Sequence, residues 1–318
     1  MTRFIGARLL QSALILVAVS VVVFGFLRLL PGDPIAMMLG ERPHPQVVAE
    51  IRKLYRLDEP FHVQYALWLG QVARGRFGIS YITRRPVIEL IGAALGPTLA
   101  LTVASLAIGV TVGLVTGVIA AVYRGRRQDV VASVLAFVGI SVPGFFSAVL
   151  LIWLFSLALG WLPPTGYVSP TTSLAGFGRH LALPALALGL ILAASTMRMI
   201  RSGVLEVLGR EYVRTALAKG LGEGEVVGRH VLRNALIPAV TAVGLQLADL
   251  LGGAVIIESV FAIPGLGRLT LDSIFARDYP VLQASILMLT GIFLLANLAA
   301  DLVYALIDPR IRFDGPPP

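Results

Sequence analysis

Residues 9–30, LLQSALILVAVSVVVFGFLRLL, decide the fold class. A single charge, Arg28, interrupts 22 otherwise apolar or small polar positions. An α-helix of about 20 such residues crosses the roughly 30 Å of hydrocarbon in a bilayer. Arg3 and Arg8 stand before the run, as in a signal peptide. The run is longer than a signal peptide's apolar region, however, and no A-x-A site follows before Pro31-Gly32-Asp33-Pro34. It reads as an uncleaved first span.

Working outward, five more stretches meet the same length criterion: 98–122, 132–158, 181–200, 236–260 and 281–307, with 181–200 the shortest. Composition agrees with them. The 318-residue chain is 57% hydrophobic and 14% charged, with a mean hydropathy of +0.85. A soluble domain carries about a quarter charged residues, so the expected class is an all-α integral membrane protein with six transmembrane helices. With no cysteine, disulfide frameworks and thiolate metal sites are excluded. A net charge of +8 would suit nucleic acid, but the 26 Lys and Arg residues lie mainly in loops beside apolar runs. That distribution speaks for membrane orientation rather than phosphate binding.

Basic residues in short loops resist translocation and so mark the cytoplasmic side. They precede the first span (Arg3, Arg8), join spans two and three (Arg124, Arg126, Arg127) and follow span six (Arg310, Arg312). Seven more lie from Arg198 to Arg233, between spans four and five. The opposite side has Arg179, Arg268 and Arg277 in its short loops. Loop 31–97 carries eight basic residues, but loops longer than about 60 residues weigh little in this rule. Both termini are therefore expected in the cytoplasm. The expected organisation is 1–30 as N-terminus and first span, 31–97 as a helical extracytoplasmic loop, 98–307 as a transmembrane core of five spans, and 308–318 as a cytoplasmic tail. Within the core, 201–235 is a cytoplasmic loop.

Loop 31–97 shows helical spacing at Val47, Val48, Ile51, Leu54 and Tyr55, and again at Tyr65, Trp68, Leu69 and Val72. Two short amphipathic helices are expected there, either capping the bundle at the interface or docking an extracytoplasmic partner.

A charge at mid-membrane is expensive, so an acid there faces protein or water. Asp249 is such an acid, with Gln246 on the same helical face. Gly252 and Gly253 would permit close backbone approach. These two polar residues are candidates for lining a pore, or for an interhelical hydrogen bond. Ser141, in the stretch GISVPGFF, is a weaker pore candidate, and Pro143 is expected to kink or break span three.

Between spans four and five, Leu205, Leu208, Tyr212 and Ala216 recur at three- and four-residue steps, predicting one helix that Gly220 and Gly222 end. Val226, Val227, His230 and Val231 make a second stripe leading into span five. Pattern alone leaves two readings open: a helix pair on anionic lipid, or a docking surface for a cytoplasmic protein. His230 has no partner at ligand spacing and indicates no metal. The chain has no G-x-x-x-x-G-K-[ST] phosphate loop, no H-E-x-x-H and no G-x-S-x-G. Any transport powered by ATP therefore takes its energy from another subunit.

The stretch Arg214-Thr215-Ala216-Leu217-Ala218-Lys219-Gly220 resembles the EAA motif of importer-type ABC transporter permeases, in the form found in the dipeptide and oligopeptide subfamily. Glu211-Tyr212 before it and His230-x-x-Arg233-Asn234-Ala235-Leu236-Ile237-Pro238 after it extend the likeness. So do LRLLPGDP (27–34), LDEPFHVQYALWL (57–69), GRFGIS (75–80), SVPGF (141–145), LPPTGY (162–167), FAIPGLGRL (261–269), ARDYP (276–280) and YALIDPRIR (304–312). Arg214 and Thr215 stand where the general motif has Glu and Ala, and Pro238 lies farther from Gly220 than in the general pattern. Both departures suit the peptide subfamily. Ala216 and Gly220 map directly onto the general motif.

The resemblance implies a non-catalytic subunit that moves peptides or related small solutes across a bacterial or archaeal cytoplasmic membrane by alternating access. It implies a second homologous permease, two ATP-binding subunits and an extracytoplasmic binding protein as partners, with ATP and Mg on the ATP-binding subunits and no cofactor on this chain. By the same resemblance Glu211, Tyr212, Arg214, Ala216, Leu217, Lys219 and Gly220 form the segment that docks in an ATPase groove. Tyr212, Ala216 and Leu217 are the expected contacts, and Gly220 sets the turn. A different class, a self-sufficient secondary transporter or channel with Asp249 as its ion site, would also lack a phosphate loop. The patterned loop favours the importer subunit. An intramembrane enzyme lacks a nucleophile and base pair.

Overall fold

The computed structural model describes residues 2–29, Gln46 and 59–307. The described chain is built of helices: α1 (Thr2–Leu29), α2 (Phe61–Val72), α3 (Val87–Val122), α4 (Arg127–Ser141), α5 (Gly144–Leu151), α6 (Leu174–Leu208), α7 (Glu211–Ala218), α8 (Glu223–Val226), α9 (Leu232–Val260), α10 (Leu266–Phe275) and α11 (Tyr279–Ile307). π-Helical turns extend α5 through Ile152–Ala158 and link α8 to α9 through Val227–Val231. The helix expected over 47–55 lies outside the described residues, whereas the one expected over 65–72 is the body of α2.

Among the described residues, four helices are long and apolar enough to cross a membrane: Ile5–Phe26, Val87–Val122, Leu174–Leu208 and Tyr279–Leu302. A fifth is Arg127–Ser141 with Gly144–Ala158, if that pair, bent by 109°, is one span. The bend falls at Val142-Pro143, where proline supplies no backbone donor and its ring opposes the preceding turn. Two helices are longer than the apolar count suggested. Helix α3 begins at Val87 and runs through Pro97, and α6 begins at Leu174, capped by Ser173 Oγ accepting from the Gly176 N–H at 3.0 Å.

The chain divides into two compact units. One holds residues 98–263 with 1–5 and 293–318. Its centre is α6, whose buried Leu183, Leu188 and Leu192 join Leu101, Leu250, Ile257 and Phe261 in the core. Between α3 and α6 runs a seam of small residues at four-residue steps. A side chain at Gly109, Gly113 or Gly117 would collide with Leu192, Thr196 or Ile200 respectively. At Gly113 an added Cβ would lie 2.6 Å from Thr196 Cβ and 2.9 Å from the Ala193 carbonyl oxygen. Only hydrogen fits, and the two backbones approach accordingly. Gly253 closes on Leu188 in the same manner, but Gly252 faces open space, so one member of that expected pair makes the close approach.

The other unit holds residues 6–97 and 264–292. Phe24 of α1 packs against Phe61, Tyr65 and Trp68 of α2, with ring centroids 5.4, 5.6 and 5.2 Å apart. Ser20 and Tyr65 share a 2.7 Å hydrogen bond beside them. Val87, Ile91 and Ala94 of α3 bury against Leu266, Val281 and Ala284. The stretches GRFGIS and ARDYP meet here: Ser80 Oγ and the Tyr81 N–H both donate to the Asp278 carboxylate.

Candidate functional site

The segment between α6 and α9 is a folded unit with two distinct faces. Where the apolar stripe predicts one helix through Leu205–Ala216, the structure breaks it. Helix α6 ends at Leu208, and Arg210 takes an extended conformation (φ −79°, ψ 146°) before α7 starts at Glu211. Gly209 and Arg210 donate back to Glu206 and Val207 in tight turns that exhaust the helix. Leu205 and Leu208 thus belong to one helix, and Tyr212 and Ala216 to another.

The end of α7 is a Schellman motif. The Gly220 N–H donates to the Leu217 carbonyl at 2.9 Å, and the Leu221 N–H donates to the Ala216 carbonyl at 3.4 Å. Gly220 has φ +84°, a left-handed conformation that disfavours any side chain. Glu211 sits in the first turn, where its charge complements the helix dipole.

The inner face of α7 is Val213 and Ala216, both buried. They pack with Ile200, Val204 and Val207 of α6, Ala121 of α3, and Val226, Val231 and Ala235 beyond the turn. Ala216, expected as a docking contact, is turned into this core: with Val213 it forms the centre of the stripe that α7 buries, and Tyr212 and Leu217 lie at the two edges of that stripe. Tyr212 and Leu217 are exposed, at 40% and 44%, and Glu211, Arg214 and Lys219 are exposed beside them. Tyr212 Oη accepts a 3.1 Å hydrogen bond from Asn234 Nδ2, which also donates to the His230 carbonyl. That bond ties the aromatic ring to the start of α9. The ion pairs Glu211–Arg214 and Glu206–Arg210 are solvent-exposed and contribute little.

Of the pore candidates, Gln246 on α9 accepts from Thr196 Oγ1 of α6 at 3.3 Å. Asp249 belongs to α9, but its side chain lies outside the described residues. Ser141 is exposed and is the last residue of α4, immediately before the 109° bend. Glu258, which none of the sequence patterns singles out, is fully buried and accepts a 2.6 Å hydrogen bond from Thr98 Oγ1. An acid inside the apolar run Val255–Val260 was the available signal. Asp129, equally unmarked by pattern, is buried at the start of α4 and gripped by Arg201. Among the described residues no group of three or more His, Cys, Asp or Glu is arranged to hold a metal.

A helical membrane bundle with a capped amphipathic segment between two of its long helices fits a membrane subunit that works with a partner outside the bilayer. The chain matches the family described as binding-protein-dependent transport system inner membrane component over residues 113–313, and that system's N-terminal membrane component over residues 1–102. It belongs to this family of ABC importer permeases. It is 45% identical over 313 residues to the glutathione transport system permease protein GsiC of Salmonella choleraesuis (strain SC-B67), covering 98% of this chain and all of that one. The GsiC protein of Escherichia coli (strain K12) is 44% identical over the same length. Among solved structures, the MetNI methionine ABC transporter in an inward-facing conformation shares the fold, with a TM-score of 0.59 at 21% identity, over 70% of this chain and 97% of that one. The chain is therefore a non-catalytic, multi-pass inner-membrane permease subunit of an importer, and separate ATPase subunits hydrolyse the ATP.

Proposed function

We propose that the solute is a small peptide of the glutathione or dipeptide type, carried through a pore that this chain forms with a second, homologous permease. The similarity to GsiC over 98% of the chain carries this reading. Six spans with both termini in the cytoplasm would put α7 on the ATPase side, as the basic-residue count requires. Binding protein would deliver solute at the outer face, and nucleotide and Mg would reside on the two ATPase subunits, with none on this chain.

In this reading the exposed residues of α7 (Tyr212, Arg214 and Leu217), with Lys219 just beyond its end, seat in the ATPase groove, while Val213 and Ala216 hold the helix to its own bundle. A coupling contact must differ between two states of the transporter, and a short helix fixed at both ends delivers such a displacement without absorbing it. Gln246 and Asp249 of α9 and Ser141 at the bend are the proposed pore-lining residues.

The test is uptake of labelled glutathione and of a dipeptide into proteoliposomes holding both permeases and both ATPase subunits, with binding protein outside. ATP-dependent uptake is expected from the native complex. Leu217→Asp should release the ATPase subunits during purification and abolish uptake. Retention of the ATPases and full uptake by Leu217→Asp would reject the docking face, and uptake by this chain alone would reject the importer reading of its pore.

A further inference from the structure

We propose that Asp129 and Arg201 are a positioning pair that makes the cytoplasmic ends of α3, α4 and α6 move with α7 as one body. Arg201 grips Asp129 with two prongs, Nε to Oδ1 at 2.7 Å and Nη2 to Oδ2 at 2.9 Å. The same carboxylate accepts from the Gly125 N–H at 2.9 Å, closing the turn between α3 and α4, and from Ser133 Oγ at 3.3 Å within α4. One carboxylate thereby joins three elements. The side chain of Asp129 is 8% exposed and that of Arg201 31%.

Ion pairs withdrawn from water add little net stability, because desolvation offsets the attraction; their attested use is to fix register between elements. A forked guanidinium–carboxylate contact fixes angle as well as distance. Its position fits that use. Arg201 lies one residue beyond Ile200 and one turn before Val204, and both of these pack in the core that buries Val213 and Ala216 of α7. A displacement of α7 therefore reaches the end of α6 through apolar packing, which can slide. It reaches α4 through the ion pair, which cannot slide without parting, whereas the end of α3 also meets α7 directly through Ala121 in that core. This role rests on the coupling reading of α7.

The experiment uses the full transporter complex. The natural chain has no cysteine, so spin labels at Val131→Cys on α4 and Glu206→Cys on α6, both exposed, report a single distance. With the native pair that distance should form one narrow distribution, the same without nucleotide and with ATP. With Asp129→Asn it should broaden and differ between the two states. Glutathione transported per ATP hydrolysed should fall about tenfold, within the 5- to 150-fold range of coupling between sites, while the ATPase subunits stay bound. Arg201→Lys, which keeps the charge and loses the fork, should fall by less. It also serves in place of Asp129→Asn if that variant does not insert. Asp129→Asn with Arg201→Gln should lose no more than the worse single variant. Unchanged distances, an unchanged ratio of transport to hydrolysis, or losses that multiply in the double variant would overturn the proposal. Failure of the coupling reading appears elsewhere, as Leu217→Asp complexes that keep their ATPases and still transport.

Discussion

Helices α1 and α6 both qualify as membrane spans, yet they are opposites. Of the most apolar window of α1, 17% is buried within the chain; for α6 the figure is 67%. The more apolar helix is the less buried one. In water this would be paradoxical. In a membrane, lipid is as apolar as leucine, so large side chains such as Leu10 and Val22 gain nothing by facing protein and are left outside. Close packing is driven instead by shape, and on the buried surface of α6 Ala185, Ala187, Gly189, Ala193 and Ala194 are interleaved with larger side chains. Apolarity marks the span, and small residues mark where two helices come close, as Gly109, Gly113 and Gly117 do against α6.

The contrast breaks first at the α3–α6 seam. Gly113→Leu would drive a side chain into Thr196 and the Ala193 carbonyl, and should destabilise the chain by about 3 kcal/mol or more, enough to abolish a cooperative melt in detergent. An unchanged melting profile would mean the seam opens freely and is not a packing interface. Next comes Thr98→Val, which removes the donor to Glu258 and should cost about 1–3 kcal/mol in the same assay, because a buried acceptor loses a partner. Gly220→Ala, at φ +84°, should cost about 1 kcal/mol and lower uptake by unseating the end of α7. Smallest is Val22→Ala on the exposed flank of α1, expected to stay within about 0.5 kcal/mol of the native chain. A loss there as large as that for Gly113→Leu would erase the distinction between the two helices.

Much of this was readable in advance, and the misses have a common physical cause. Long apolar runs located α1, α3, α6 and α11, because hydrocarbon thickness sets a length that a sequence can be measured against. Pro143 marked the bend for a covalent reason. The Gly109-Gly113-Gly117 spacing is a local signal, but apolar periodicity gives glycine no weight although its contribution here is the absence of a side chain. The break at Gly209-Arg210 escaped because Leu205, Leu208, Tyr212 and Ala216 keep helical spacing across it; periodicity records which residues are apolar, not whether the backbone turns between them. Ala216 shares α7 with Tyr212, but spacing alone does not say which part of an apolar stripe is buried, and Ala216 lies at its centre beside Val213. The partnership of Asp129 with Arg201 spans 72 residues, and no local pattern encodes it.

The 109° bend between α4 and α5 has a consequence for hydration. Where a helix is interrupted, backbone oxygens and amides lose their partners one turn away, and acyl chains offer no replacement. At bilayer depth such a break is tolerated where water or other protein reaches it. Deuterium uptake or a solvent-sensitive fluorophore at Ser141, compared with the same probe at Val22, would then map the wet flank of the subunit without any knowledge of its cargo.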